Sequence, residues 1–495
     1  MMFKLANQTV LLMCVILAVE VFGRIRFPYD LYFASESPFM TNMLKLSQGS
    51  PLFTPIEQMN SHIYAPGMEY LFWFIAKPIG LVHDVRFARL LVVVMGVVTA
   101  LIAGQIIRTV SQNRHSHWVC SGIVALVLFK NFTADMVHPD NFHALHTMMA
   151  LALALFAARR QSFGWAFVAV LWASVGVLTK QTGVLTVVGV LIGLGIVGGL
   201  RRWQISLLTT IGFSTMAAAA AWLLNDEFGR FYTYDLSLLH DIFPAKLLDL
   251  PRLLIVMPHK LILILLLPIA IWMLWQHPLK RQFVILWGAI GIFGTGATLI
   301  AYLKAFGTWN NLGILDVWMT LPVLIAVMSL DTHKLPRFAF WGKRTFINWR
   351  LLGLLALLTL IPLRVPPPPS YYAMMATWEG MVSADLAANK QILIANGTTL
   401  LTRNGSNQIP LDRAAAATDL KGAQITPDAT HRRIREQVYD RIYLNVPRWY
   451  ADDTLELLAE QYRKVDLIPA PEPALRYLFG YQKELFESVL VLEPR

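Results

Sequence analysis

Three features of this 495-residue sequence predict an α-helical polytopic membrane protein of about eleven transmembrane helices, followed by a small α/β soluble domain. Hydrophobic residues make up 56% and charged residues 15%, where a soluble domain carries about 25% charged. Long apolar stretches recur through the first 364 residues, and a bilayer core needs about 20 such residues per helix. After four consecutive prolines, Pro366 to Pro369, the composition turns polar.

Apolar windows place spans near residues 8–23, 88–109, 117–130, 142–158, 165–179, 183–200, 204–224, 254–275, 282–303, 312–330 and 350–364. The first is read as an uncleaved helix, because no small-x-small site with a polar mature start follows it and ten further spans do. The windows at 117–130 and 165–179 are short for a bilayer, so their ends run into neighbouring loops.

Charge sets the orientation. Residues 1–364 hold 28 Lys and Arg against 15 Asp and Glu, while residues 365–495 hold 14 against 16. The positive excess therefore sits in the apolar part and reads as membrane orientation rather than nucleic-acid binding. With the N-terminus inside, the inner loops collect 14 basic residues, among them Arg108, Arg159, Arg160, Arg201, Arg202, Lys280 and Arg281, against one acid, Asp331. Acids such as Asp30, Glu36, Glu69, Asp135, Asp140 and Asp241 fall outside. An odd number of spans puts the tail outside too, which fits a bacterial inner membrane with a periplasmic C-terminal domain.

The chain thus divides into a membrane domain, 1–365, with long outer loops at 24–87 and 225–253, a proline linker at 366–369, and an extracytoplasmic domain at 370–495. Tyr70 to Ile79 reads as an interfacial helix rather than a span. The prolines form a stiff extended linker. In the tail, strands are expected at 391–395, 441–446 and 465–468, a turn at Asn396-Gly397 and an amphipathic helix at 454–462. Cys14 and Cys120 lie in apolar runs and read as buried core residues rather than a disulfide or metal pair. No P-loop or GxSxG motif occurs.

Four constellations carry polar chemistry. Asp30 and Glu36 follow the first span, where desolvation among aromatics raises a carboxylate's basicity and suits a general base; the competing reading is a solvated loop acid. Here Pro38 is expected to start a short helix. In His138-Pro139-Asp140-Asn141-Phe142-His143-Ala144-Leu145-His146, Pro139 suits a first helical turn. Asp140, His143 and His146 then share one face. That face suits a sugar or lipid phosphate, a structural helix start, or a divalent metal such as Zn or Mn. Lys180 lies in a hairpin at bilayer depth, where a lysine usually has a partner such as a phosphate or snorkels to the interface. Lys304, Trp309, Asn310 and Asn311 add a cation, an aromatic and two amides to one outer turn.

Taken in order, these segments resemble the GT-C superfamily of membrane glycosyltransferases. The similarity is greatest to glycosyltransferase family 39, relatives of the protein O-mannosyltransferases and the lipid A aminoarabinose transferase. The resemblance runs through residues 1–330. It rests on Ser35-Glu36-Ser37-Pro38, Gln48-Gly49-Ser50-Pro51-Leu52-Phe53, Ile63-Tyr64-Ala65-Pro66-Gly67, His138-Pro139-Asp140-Asn141, Leu178-Thr179-Lys180-Gln181 and Trp309-Asn310-Asn311. Asp30 and Glu36 are separated here, where many relatives carry an adjacent Asp-Glu pair. The resemblance implies a polyprenyl-phosphate sugar as donor, a glycan, lipid or protein acceptor, and inversion at the anomeric carbon. It implies the base at Glu36 first and Asp30 second, a second acid at Asp140, and phosphate contact by Lys180 with Lys304 or Arg230. Tyr64, His138, Asn141, His143, Asn310 and Asn311 complete the expected substrate face. A transporter or flippase of lipid-linked saccharides, with charges deep in several spans and paired broken helices, and a polymerase of such saccharides are the alternatives.

Overall fold

The computed structural model describes residues 2–31, 33–113, 116–129, 135–223, 227–251, 254, 258–305, 307, 309–329, 367–426, 428–445, 450–470 and 488–495. The membrane part contains α1 (Met2–Ile25), α2 (Phe33–Ser47), α3 (Gly67–Ala76), α4 (Val85–Ser111), α5 (Ser116–Phe129), α6 (Pro139–Arg160), α7 (Phe163–Ser174), α8 (Thr186–Val197) and α9 (Arg202–Leu223). After two one-turn helices, α10 (Glu227–Arg230) and α11 (Leu236–Leu239), come α12 (Pro258–Trp275), α13 (Pro278–Ile290), α14 (Ala297–Leu303) and α15 (Gly313–Ser329). Helices α1, α4, α6, α9, α12 and the α13–α14 run are long and apolar enough to cross a membrane. Four shorter apolar helices, His117–Phe129, Phe163–Leu178, Gln181–Val197 and Gly313–Ser329, accompany them. The expected span at 350–364 lies outside the described residues.

Local chemistry explains the helix boundaries at the end that meets the tail. Asp84 caps α4 by accepting the Arg86 N–H, which satisfies one of the N–H groups a helix start leaves free. His138 caps α6, and Pro139 occupies its first position, where a missing N–H costs nothing. The first outer segment differs from expectation: its helix starts at Phe33 and runs through Pro38 instead of starting there. An interior proline forfeits one helical hydrogen bond. Anchoring of Glu36 and Ser37 on either side of the turn offsets that loss. The interfacial helix appears as α3, extended by a short turn at Lys77–Ile79.

Between α7 and α8 the chain narrows into two 3₁₀ turns, Val175–Leu178 and Gln181–Leu185. Lys180 sits between them in extended conformation. The turns touch backbone to backbone at Gly176 and Gly183, where a methyl group on either would overlap the other's carbonyl oxygen. Only glycine permits that approach.

The tail comprises α16 (Pro369–Ala387), α17 (Thr398–Arg403), α18 (Ala414–Gly422), α19 (Asp428–Arg435) and α20 (Asp452–Gln461) around strands β1 (Ile392–Ile394), β2 (Arg441–Leu444), β3 (Tyr462–Ile468) and β4 (Val489–Pro494). Strand order is β1-β2-β4-β3. β1 and β2 run parallel, with Ile392 beside Arg441, and the other pairs are antiparallel. The last proline of the linker is the first residue of α16. Tail and membrane part share cores: Phe27, Tyr29 and Leu31 pack with Tyr371, Met375 and Trp378, and Leu52, Phe53 and Met59 with Leu393, Ala395 and Ala414. Ser37 Oγ accepts the N–H groups of Gly397 and Thr398 at 2.9 and 3.0 Å. The carboxyl ends of β1 and β2 therefore sit over the end of the helices that carries Ser37.

Candidate active site

At the start of α6, the Asp140 carboxylate lies 2.5 Å from Lys180 Nζ and 3.0 Å from His138 Nδ1. Lys180 also donates to Asn311 Oδ1 at 3.1 Å. The Tyr64 ring packs edge-on against His138, with centroids 6.1 Å apart. Five residues drawn from four separate segments of sequence thus converge on one point. The cation is held by the break between α7 and α8, and the acid by the first turn of α6. The Asp140 side chain keeps 15% of its surface open.

Glu36 has a different environment. It is fully buried, and Arg89 grips it through two parallel bonds, Nε to Oε1 at 2.8 Å and Nη2 to Oε2 at 2.7 Å. The backbone N–H of Leu31 adds a bond to Oε2 at 2.5 Å, and that of Val137 one to Oε1 at 3.2 Å. A carboxylate offers about four acceptor positions, so no lone pair is left for a substrate hydroxyl. Arg89 also donates to the carbonyls of Phe27 and Tyr29. The pair therefore ties α2, α4, the segment after α1 and the approach to α6 into one knot.

Asp30 is buried as well. Thr399 of the tail donates to its Oδ1 at 2.5 Å, while Oδ2 has no partner. Burial pushes its pKa up to about 7, against the opposing bond from Thr399.

Of the remaining expected residues, His143 lies next to the Asp140–Lys180 pair, while Lys304 and Arg230 lie apart from it. His143 Nε2 meets the Gly294 carbonyl at 2.9 Å, and His146 Nε2 that of Trp172 at 2.7 Å. Both rings thus fasten helices together, and His143 Nδ1 also lies 3.4 Å from Thr179 Oγ1, next to Lys180. Among the described residues no three His, Cys, Asp or Glu side chains are placed to hold a metal. Asn141 donates to the Met136 carbonyl at 3.4 Å. Lys304 donates to the Ser237 carbonyl and Arg230 pairs with Asp235 at the surface, 3.4 Å away; neither joins Lys180. Asn310 lies in the turn Trp309–Leu312, and its side chain is outside the described residues.

Three groups escape a sequence reading. Arg89 lies inside an apolar span. Glu69, on α3, has a pKa pushed up to about 8 by burial and lies 3.5 Å from both Asn42 Nδ2 and His62 Nε2. Arg413 comes from the tail and lines, with Asn42, His62, Tyr64 and Glu69, a recess over the outer face. The one available signal was a lysine or arginine in an apolar span, which needs a buried partner; it points to Arg89 and to Lys260, which pairs with Asp316.

Residues 64–224 match the family described as dolichyl-phosphate-mannose-protein mannosyltransferase. The matched segment contains Tyr64, His138, Asp140 and Lys180. The fold is similar to that of ArnT from Cupriavidus metallidurans. The structure of ArnT bound to undecaprenyl phosphate has 13% identity and a TM-score of 0.56, covering 99% of this chain and 98% of that one. Its apo structure has 14% identity and a TM-score of 0.56 over the same shares. No curated protein sequence matches the chain. From its first helix to its C-terminal sheet, this polytopic membrane protein has the fold of ArnT, and over residues 64–224 it carries the sequence pattern of the dolichyl-phosphate-mannose-protein mannosyltransferases.

Proposed function

We infer that the protein is an integral membrane glycosyltransferase that moves a sugar from a polyprenyl-phosphate donor to a hydroxyl of an envelope glycan, lipid or protein. The observation that carries this reading is the convergence of Lys180, Asp140, His138, Asn311 and Tyr64 at one outer-face point. The family match over the same segment supports it, as does the undecaprenyl phosphate held by ArnT, a protein of the same fold.

In this mechanism the donor phosphate draws Lys180 out of its pair with Asp140. The lysine then faces the charge that grows on the phosphate as the sugar leaves. The acceptor hydroxyl oxygen attacks the anomeric carbon, the carbon–oxygen bond to phosphate breaks, and the hydroxyl proton passes to the freed Asp140 carboxylate. A single displacement inverts the anomeric centre. We assign the base to Asp140 because Glu36 is saturated and both Glu36 and Asp30 are enclosed. The site belongs on the periplasmic side of a bacterial inner membrane, with the N-terminus cytoplasmic, from the basic balance of the opposite turns.

Transfer from a defined polyprenyl-phosphate sugar by the purified chain tests the assignment. Removal of a positioned base costs about 10²–10⁴-fold in rate, so Asp140→Asn loses that much with donor binding retained. Lys180→Gln loses donor affinity as well. Normal turnover by both variants would overturn the site.

A further inference from the structure

The tail's own chemistry points to a second element of the site. Arg413 is 2% exposed, yet its Nε and Nη2 have no hydrogen-bond partner and no carboxylate lies within ion-pair distance of it among the described residues. Burying a charge is costly; the nearby buried Asp30 offsets only part of that cost, and Arg413 is still a cation at neutral pH, since burial lowers its pKa only to about 9.

Its position adds to this. Arg413 is the residue before α18, whose first turn is Ala414-Ala415-Ala416-Ala417 and receives no side-chain cap. Ala414 N–H is used by the Ala395 carbonyl and Ala417 N–H by that of Arg413. The N–H groups of Ala415 and Ala416 are orphans of the helix start, and both residues line the same recess as Arg413. A helix N-terminus with free N–H groups favours an anion. The recess lies at the carboxyl edge of the parallel pair β1 and β2, where ligands of open α/β sheets bind. Two further amides at that edge, Asn396 and Asn445, are buried with both polar atoms unpartnered. Across the recess stand Tyr64, which touches His138 of the Asp140 cluster, and Glu69, which its raised pKa of about 8 leaves mostly uncharged at pH 7. The enclosed space is about 20 Å³, room for about one water, so an anion enters with a shift of the tail against the loop.

Resting on the glycosyltransferase reading, we propose that Arg413 and the N–H groups of Ala415 and Ala416 form a phosphate clamp, through which the tail lobe binds the phosphate oxygens of the lipid-linked donor. The lobe thereby closes the donor site from the side opposite Lys180.

The test is binding of undecaprenyl phosphate, and separately of inorganic phosphate, to the purified full-length chain, read by ligand-induced thermal protection. Wild type is compared with Arg413→Gln, Arg413→Lys and Ala415→Asp. Loss of charge-assisted bonds of this kind weakens affinity about 10- to 100-fold, so Arg413→Gln and Ala415→Asp lose that much for the lipid, while Arg413→Lys keeps part of it. Without ligand, Arg413→Gln melts no lower than wild type, because an unpaired buried charge has been removed; a purely structural arginine would give a lower melting temperature and unchanged affinity. Protection by inorganic phosphate but not by the lipid would assign the clamp to free phosphate and overturn the donor role. Equal lipid affinity in wild type and both charge variants overturns the clamp and leaves the glycosyltransferase reading standing, whereas a wild type that binds no lipid phosphate defeats that reading as well.

Discussion

Glu36 and Arg89, 53 positions apart, form a fully buried two-bond ion pair at 2.8 and 2.7 Å. All four acceptor positions of the carboxylate are taken by Arg89 and the N–H groups of Leu31 and Val137. Breaking a buried pair strands a charge and costs about 3–5 kcal/mol. We expect Glu36→Gln and Arg89→Met each to lower the melting temperature of the purified protein sharply, and the double variant to be less destabilised than the sum of the two. Additive losses would show that the two side chains do not act as a pair.

Asp30 gives a pH signature. Its folded pKa of about 7 lies above the ordinary value near 4, so the folded state holds a proton that the unfolded chain has lost. Stability from this group is full below about pH 4, falls as the pH rises, and reaches its lowest value above about pH 7. Asp30→Asn should therefore melt higher than wild type at pH 8 and level with it at pH 4. A melting-temperature difference independent of pH would contradict the burial of an unpaired oxygen.

Gly176 and Gly183 hold the break that presents Lys180. Alanine at either forces the two turns apart, because its methyl group meets the opposing carbonyl. Gly183→Ala should lower donor affinity and turnover while the helices around it remain folded by circular dichroism. Unchanged turnover would mean that the placement of Lys180 tolerates a displaced turn.

Topology follows from charge. The end of α6 carries Arg159 and Arg160, the junction into α9 carries Arg201 and Arg202, and the first turn of α13 carries Lys280 and Arg281; basic residues at short connections favour the cytoplasm. A reporter active only outside the membrane, fused after Arg495, should be active, and one fused after Arg160 silent. The reverse pattern would invert the site.

What the sequence determined by itself is what depends on neighbours along the chain. Apolar run length marked the spans, since a bilayer demands about 20 residues per crossing. Pro139 and the polar face behind it marked the start of α6, and a short run ending in Asn396-Gly397 marked β1 and its turn. The polar residues Tyr64, His138, Asp140, Lys180 and Asn311 were also visible one by one, because polar groups at bilayer depth are expensive and stand out. Tertiary structure alone decided their relationships. A carboxylate's role depends on which donors surround it, and those of Glu36 come from positions 31, 89 and 137. The same sequence reading that marked Glu36 as a base could not count its lone pairs. Arg413 illustrates the other limit: in a polar tail an arginine is unremarked, and only the docking of the lobe onto the outer loops turns it into a buried charge without a partner. Local pattern fixes elements, while burial and pairing depend on contacts between distant segments, which carry no local signal.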